Sequence, residues 1–122
     1  MTTNILIVDD LAFIKIVLRD ILEKSGFRVV GEASNGDEAI RLYEEKKPDV
    51  VLMDITMPGM DGLTALKRIK EIDPAANVII CSALGQQRLI VQAIQLGAKD
   101  FIVKPFQPQR VVSALKKALN IV

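Results

Sequence analysis

The chain has 122 residues, half of them apolar and a quarter charged, which is enough for one domain with a buried core. Its net charge of +1 does not favour nucleic acid as a partner. The absence of histidine excludes histidine catalysis and histidine metal ligands, and a single cysteine excludes an internal disulfide. We predict one cytoplasmic domain over residues 1–122, with no effector domain, targeting segment or membrane span.

Five short apolar runs alternate with longer segments of helical spacing. The runs are ILIV (5–8), RVVGE (28–32), VVLM (50–53), VIIC (78–81) and FIV (101–103). Continuous β-branched runs of this length are typical of strands that are buried on both faces. The pattern predicts a doubly wound α/β fold, (βα)5, with a parallel sheet.

The intervening segments predict five helices. Apolar residues at helical spacing predict a shared face in each; these are Phe13, Val17 and Ile21 in the first helix and Ile90, Val91 and Ile94 in the fourth. Gly26 and Gly97 suit left-handed helix ends, and Pro108 suits the first turn of the fifth helix.

Polar side chains follow four of the five predicted strands. They are Asp9 and Asp10 after the first strand, Asp54 after the third, Ser82 after the fourth and Lys104 after the fifth. In a doubly wound sheet the ligand site lies at the carboxyl ends of the strands, at the point where the strand order reverses. We therefore expect these side chains to share one crevice.

Three carboxylates in one crevice need a cation. Two carboxylates about 4 Å apart repel by roughly 4 kcal/mol at an effective dielectric near 20, and Lys104 supplies only one positive charge. Oxygen ligands without histidine or cysteine select a hard ion, Mg²⁺ first, and such sites are usually completed by water and phosphate oxygens. The site therefore predicts phosphoryl chemistry, with Asp54 as nucleophile and Ser82 and Lys104 contacting the phosphoryl group.

Each of these residues also has an ordinary structural interpretation. Asp9 or Asp10 would suit a helix cap, Ser82 a turn, and Lys104 the surface before a turn proline. Their joint placement at consecutive strand ends favours the site. Three other acids do not follow a predicted strand together with such residues, and they are interpreted as turn or capping residues: Asp37, Asp61 and Asp100. Gly59 and Gly62 are interpreted as loop flexibility, and Gln86 and Gln87 as a polar start to the fourth helix.

Four segments together resemble the receiver domain of bacterial two-component response regulators. They are ILIVDD, VVLMDITMPGMDG, IICSA and KDFIVKPF, and the resemblance covers essentially the whole chain. It implies a flavodoxin-like sheet in the strand order 2-1-3-4-5. It also implies that Asp54 accepts a phosphoryl group from a sensor histidine kinase. It also implies that Asp10, Asp54 and the carbonyl of Thr56 bind Mg²⁺, with Asp9 acting chiefly through water.

The resemblance also implies a conformational switch. Lys104 would pair with the phosphoryl group, Ser82 would move to bond it, and Phe101 would swing into the vacated space. The resemblance implies a cis Lys104–Pro105 bond, whereas the general preference of X–Pro bonds favours trans.

The segments DITMP, CSALGQQ and VKPFQP resemble the free-standing chemotaxis receivers within this family. That resemblance implies a monomer whose activated form binds the flagellar motor switch through a face including Ile90, Ile94, Phe101 and Val103. Thr56 and Leu84 flank the site and neither is an acid or amide that could orient water. We therefore expect slow self-hydrolysis and a separate phosphatase.

Three classes of alternative compete with this interpretation: another role within the family, a phosphohydrolase and a flavin-binding module. The chain could be a phosphorelay intermediate or a receiver excised from a transcription factor. An aspartate-nucleophile phosphohydrolase would need a second acid where Thr56 stands. A flavin-binding module would need a hydroxyl- and glycine-rich loop where the chain has VDDLAF. We accordingly expect a phosphoacceptor that catalyses only its own phosphorylation and dephosphorylation.

Overall fold

The computed structural model describes residues 2–121 and shows five strands that alternate with five helices. The strands are β1 (Asn4–Val8), β2 (Arg28–Ala33), β3 (Val50–Asp54), β4 (Val78–Ser82) and β5 (Asp100–Val103). The helices are α1 (Ala12–Lys24), α2 (Gly36–Lys46), α3 (Gly62–Ile72), α4 (Gln87–Gln95) and α5 (Pro108–Leu119). Among these residues, no helix combines the length and the apolar character that crossing a membrane requires.

The strands form one parallel sheet in the order β2-β1-β3-β4-β5, which confirms the predicted topology. The order reverses at β1 and β3, because β2 lies on one side of this pair and β4 on the other. Every residue of β3 and β4 is buried, as expected for central strands covered on both faces. The carboxyl ends of β1 and β3 therefore open a crevice at the switch point.

Alternate side chains of the strands build two cores, one on each face of the sheet. Leu6, Val51 and Ile80 point into the core that packs against α2, α3 and α4. Ile5, Leu52 and Ile79 point into the core that packs against α1 and α5. These two layers hold the central strands rigid, so the residues at their ends have fixed positions.

The helix boundaries follow local signals. The side chain of Asn35 accepts a hydrogen bond from the Glu38 N–H at the start of α2, and Asp61 accepts from the Thr64 N–H at the start of α3. Pro108 is the first residue of α5, as predicted. Gly26 and Gly97 have φ angles of 88° and 107°, which confirms both predicted left-handed positions.

Two helix faces differ from the prediction. Phe13 is 66% exposed, because the buried stripe of α1 runs through Leu18, Ile21 and Leu22 and places Phe13 to one side of it. In α4 the only fully buried side chain is that of Ala93, and Val91 is exposed. The apolar spacing of α4 thus marks an outward surface as well as a core contact.

Candidate functional site

The predicted polar residues meet at one edge of the sheet. Asp9 directly follows β1, Asp54 and Ser82 are the last residues of β3 and β4, and Lys104 directly follows β5. The register is nearly in line across this edge; the pairs are Val8 with Met53, Asp54 with Cys81, and Ser82 with Val103. Parallel strands in this register present their carboxyl ends together, so the strand-end reasoning is sufficient to locate the cluster.

Three carboxylates form the centre of the cluster. Asp9, Asp10 and Asp54 each place an oxygen within 4.8 Å of the others. Asp9 is 1% exposed and Asp54 is 6% exposed, so two of these acids are withdrawn from bulk water. The Leu11 N–H donates to Asp9 Oδ1 over 2.9 Å, which holds that carboxylate at the start of α1.

Lys104 lies against the two buried acids. Its Nζ is 3.1 Å from Asp9 Oδ2 and 3.4 Å from Asp54 Oδ2. Burial lowers the pKa of Lys104, but the carboxylates of Asp54 and Asp9 outweigh this effect and raise it overall. The ammonium group therefore stays protonated beside Asp54, where it can pair with an additional anion.

The surroundings of Asp54 disfavour the charged form of its carboxyl group. Burial raises the pKa of its carboxyl above the usual range and the neighbouring charge of Asp9 raises it further, while Lys104 and the Thr56 N–H act in the opposite direction. Burial and like-charge repulsion outweigh the ion pair. Protonation of this carboxylate, or a cation bound to it, would relieve the repulsion.

Ser82 contributes an unused hydroxyl group. Its side chain is fully buried, and its Oγ has no hydrogen-bond partner among residues 2–121. A buried hydroxyl without a partner is destabilising, so it is usually explained by a ligand or a second conformation. The register places Ser82 one residue beyond the partner of Asp54, where an acceptor bound to Asp54 would satisfy it.

The donor set fits a hard divalent cation. All three acids offer oxygen ligands, and Lys104 offsets only one of their negative charges. Oxygen-only sites with excess negative charge are typical of Mg²⁺. The arrangement thus combines a cation site, a buried carboxylate, an ammonium group and a free hydroxyl, which together suit phosphoryl transfer.

Comparison with known proteins agrees with this chemistry. The response regulator receiver domain family matches residues 5–116. The chain belongs to this family. It is 60% identical to the chemotaxis protein CheY of Bacillus subtilis over 98% of this chain and 100% of that protein. Its identity to the chemotaxis protein CheY of Thermotoga maritima is 59%, covering 96% of this chain and 98% of that protein.

A solved structure extends the similarity to three dimensions. A chain of the CheX–CheY–BeF3–Mg²⁺ complex from Borrelia burgdorferi superposes with a TM-score of 0.89 and 41% identity, covering 93% of this chain and 87% of that one. The receiver fold and the relationship to chemotaxis receivers are therefore established. The Lys104–Pro105 bond is cis, as the family resemblance implied and against the general preference for trans.

Thr56 lies beside the receiver's carboxylate cluster. Its N–H donates to Asp54 Oδ1 over 3.3 Å, and its side chain is exposed. The position suits the predicted contribution of its carbonyl to a metal site, which stays a prediction. Cys81 is buried, and burial raises the pKa of its thiol, so it is the unreactive core residue that its apolar surroundings indicate.

Gly62 has a role that the sequence did not reveal. A Cβ at this position would lie 2.2 Å from the carbonyl oxygen of Asp54 and 2.7 Å from the Cα of Ile55. The first residue of α3 therefore packs directly on the backbone of Asp54, and only glycine fits there. The interpretation of Gly62 as a flexible loop residue was wrong, since close approach requires it. Gly59, with a φ of 73°, is a left-handed turn residue.

The interpretation of Asp100 as a turn or capping residue was also wrong. Asp100 is the first residue of β5, and it forms an ion pair with Arg110, whose Nη2 is 3.0 Å from Asp100 Oδ1. The same guanidinium donates to the Phe101 carbonyl over 2.7 Å and lies 6.0 Å from the centre of the Phe101 ring. Arg110 thereby holds β5 to α5 next to the predicted switch residue.

Gln86 is the residue at the site that sequence reasoning missed most clearly. Its side chain bonds the Ala83 N–H at one end and the Thr56 hydroxyl at the other. The glutamine directly precedes α4, so its interpretation as part of a polar helix start is incomplete. No sequence pattern predicts this bridge, because Ala83 lies 3 residues from Gln86 and Thr56 lies 30 residues from it.

The residues of the predicted partner face are exposed at the surface, in part or in full. Ile94 is 43% exposed, and Ile90, Phe101 and Val103 are each partly exposed. A cavity of about 370 Å³ opens between Ile90, Phe101 and Val103 and the loop from Ala83 to Gln86, and Ile94 does not line it. The face is apolar and adjoins the carboxylate cluster through that loop.

Proposed function

We propose that this receiver accepts a phosphoryl group on Asp54 from a sensor histidine kinase, in a reaction that requires Mg²⁺. The observation that carries the proposal is the buried Asp54 carboxylate between Asp9, Asp10 and Lys104. In this proposal the receiver domain acts in the cytoplasm as a monomer.

The transfer exchanges one bond for another. An Asp54 carboxylate oxygen attacks the phosphorus of the donor's phosphohistidine, the P–N bond breaks, and the imidazole leaves with its electron pair. Lys104 Nζ, 3.4 Å from Asp54 Oδ2, pairs with a phosphoryl oxygen as negative charge is added. Water later hydrolyses the acyl phosphate and restores the carboxylate.

The cation site is formed by Asp9, Asp10, Asp54 and the Thr56 carbonyl, with Asp9 acting chiefly through water. When bound, Mg²⁺ would neutralise the excess charge of the acids and of the incoming phosphoryl oxygens. The protein's own contribution is positional, because the β1 and β3 backbones fix the acids before the donor arrives.

The unsatisfied Ser82 hydroxyl supports the proposed switch. Within residues 2–121 this hydroxyl has no hydrogen-bond partner, and a phosphoryl oxygen on Asp54 would provide one. Movement of Ser82 toward that oxygen would vacate space for Phe101. Phe101 is only partly buried, and it borders the apolar cavity on the α4 side. The chemistry at Asp54 is thereby communicated to the face that contains Ile90, Ile94, Phe101 and Val103.

The output that this face supports best is the flagellar motor switch of chemotaxis, given the identity to chemotaxis proteins over nearly the whole chain. Neither Thr56 nor Leu84 can orient a water molecule as an acid or amide would, so we infer slow self-hydrolysis and a separate phosphatase. The CheX–CheY complex makes a CheX-type protein the candidate. Apart from its own acyl phosphate, the protein turns over no substrate.

A binding titration tests both the site and the output. A motor-switch peptide from the matching organism is titrated into the protein with Mg²⁺, with and without beryllofluoride as a phosphoryl mimic. We expect tighter binding only with the mimic, abolished by Asp54→Ala and retained by Asp37→Ala, which removes an exposed acid from the first turn of α2.

A peptide that binds in neither state contradicts the motor-switch output and leaves the phosphoacceptor role intact. Phosphotransfer to a histidine phosphotransferase would then favour the phosphorelay alternative, and dimerisation on activation would favour a receiver from a transcription factor. Binding that is unchanged in Asp54→Ala contradicts the assignment of the phosphoacceptor itself.

A further inference from the structure

One carboxamide connects the two loops that leave the carboxyl ends of β3 and β4. Gln86 Oε1 accepts from the Ala83 N–H over 2.7 Å, and Gln86 Nε2 donates to Thr56 Oγ1 over 2.8 Å. Both polar ends of the amide are therefore used, and the side chain is partly buried between the loops. A bridge with two short hydrogen bonds fixes the loops relative to each other.

Both partners of the bridge adjoin residues of the phosphorylation site. Thr56 lies two residues after Asp54, and its own N–H donates to Asp54 Oδ1 over 3.3 Å. Ala83 directly follows Ser82, the residue whose buried hydroxyl lacks a partner among residues 2–121. The bridge thus restrains the backbone on either side of the place where a phosphoryl group on Asp54 would sit.

The bridge also occupies a donor that such a group would compete for. The Ala83 N–H is the first backbone donor beyond β4, and within the described chain its acceptor is the carboxamide of Gln86. A phosphoryl group brings three strong acceptor oxygens, and a hydrogen bond to an ionised acceptor is roughly twice as strong as one to a neutral carbonyl. The competition favours the phosphoryl group.

We propose that Gln86 is a positioning residue that latches the β4–α4 loop in the unphosphorylated protein and is released when Asp54 carries a phosphoryl group. Release frees Thr56 and the start of α4 together, because Gln86 directly precedes Gln87, the first residue of that helix. The latch rests on the proposed phosphoacceptor role of Asp54. Beyond that role, the latch restrains the β4–α4 loop in the unphosphorylated protein and so lowers the affinity of the site for the phosphoryl group.

The test compares beryllofluoride affinity, measured by ¹⁹F NMR titration at saturating Mg²⁺, across matched variants. Gln86→Met keeps the length of the side chain and removes both hydrogen bonds. Thr56→Val removes the hydroxyl and keeps the backbone groups that face the site. Gln87→Met makes the same chemical change at the exposed neighbouring position.

We expect Gln86→Met to bind beryllofluoride about fivefold more tightly, the effect of about one net hydrogen bond restraining the unbound state. Thr56→Val should shift the affinity in the same direction, the double variant should match Gln86→Met, and Gln87→Met should match the wild type. A tightening is diagnostic, because general damage to the loop would weaken binding.

Equal or weaker binding by Gln86→Met overturns the latch, and so does an additive effect in the double variant, since two partners in one bridge cannot contribute independently. These results would leave the phosphoacceptor role standing as long as the wild type binds the mimic and Asp54→Ala does not. A wild-type protein that binds no beryllofluoride contradicts both proposals.

Discussion

Replacing Asp54 by asparagine should stabilise this receiver when no divalent ion is present. Asp54 shares a cluster with two acids whose oxygens lie within 4.8 Å, and at an effective dielectric of 20 each contact at that distance repels by about 3.5 kcal/mol. The ammonium group of Lys104, 3.4 Å away, returns about 5 kcal/mol of attraction on the same scale. Two repulsions exceed one attraction by about 2 kcal/mol, and the cost of burying the charge acts in the same direction.

The expected gain in the free energy of unfolding at pH 7 is therefore about 2 kcal/mol, measured by urea denaturation in the presence of a chelator. Asparagine retains an oxygen that can accept from the Thr56 N–H, so the substitution changes charge more than packing. Added Mg²⁺ should stabilise the wild type more than the variant and narrow the gap, because the ion binds the folded state and removes the repulsion. Asp20→Asn, in an exposed pair with Lys24 on α1, is the control and should change stability by less than about 1 kcal/mol.

The pH dependence of the unfolding free energy is an independent test of the sign of the Asp54→Asn effect. The pKa of Asp54 is raised in the folded state, so this group favours folding below its unfolded pKa, near 3.8, and loses that contribution as the pH rises through the folded pKa. The advantage of Asp54→Asn should therefore be absent in acid and grow toward neutral pH. A variant that is neutral or less stable than the wild type at pH 7 without metal would refute the electrostatic reasoning.

Two further substitutions test packing and pairing. In Gly62→Ala the new Cβ would lie 2.2 Å from the Asp54 carbonyl oxygen, so we expect a loss of about 2 kcal/mol in urea denaturation and weaker beryllofluoride binding. A stabilised variant would show that α3 can move away from β3 freely. The Tyr43 hydroxyl donates to Asp73 Oδ2 over 2.7 Å and is the main cause of the lowered pKa of Asp73; in Tyr43→Phe, NMR titration should find that pKa closer to 3.8. The stability lost in Tyr43→Phe should be present above pH 3.8 and diminish as the pH falls through the lowered pKa, and a pKa of Asp73 that does not move would contradict this pairing.

The sequence predicts the sheet and the cluster well because both depend on local patterns. Buried parallel strands are continuous apolar runs, and a carboxylate at the end of such a run has one physical location, the carboxyl edge of the sheet. Asp9, Asp54, Ser82 and Lys104 were located by that rule alone. Each predicted strand differs from the observed one by at most one residue at either end.

What the sequence does not predict are contacts between segments that lie far apart along the chain. The bridge from Gln86 to Thr56 joins residues 30 positions apart, and its geometry depends on the path of two loops. The need for glycine at position 62 arises from the approach of α3 to β3, which no local pattern encodes. Helical spacing also misplaced Phe13, because periodicity identifies an apolar stripe but not which edge of it faces the sheet.

The edge position of β5 has a consequence for the dynamics of the molecule. β5 pairs only with β4 and is the shortest strand, whereas β3 is enclosed between β1 and β4. An edge strand can detach without breaking the pairing of the strands behind it. Arg110 restrains β5 from the side of α5 through its hydrogen bond to the Phe101 carbonyl. The strand that carries Phe101 therefore opens at a lower free energy than the strand that carries Asp54. In amide hydrogen exchange, β5 should lose protection while β3 retains it. The proposed switch residue Phe101 would then lie on a strand that opens separately from the strand that carries the proposed phosphoacceptor Asp54.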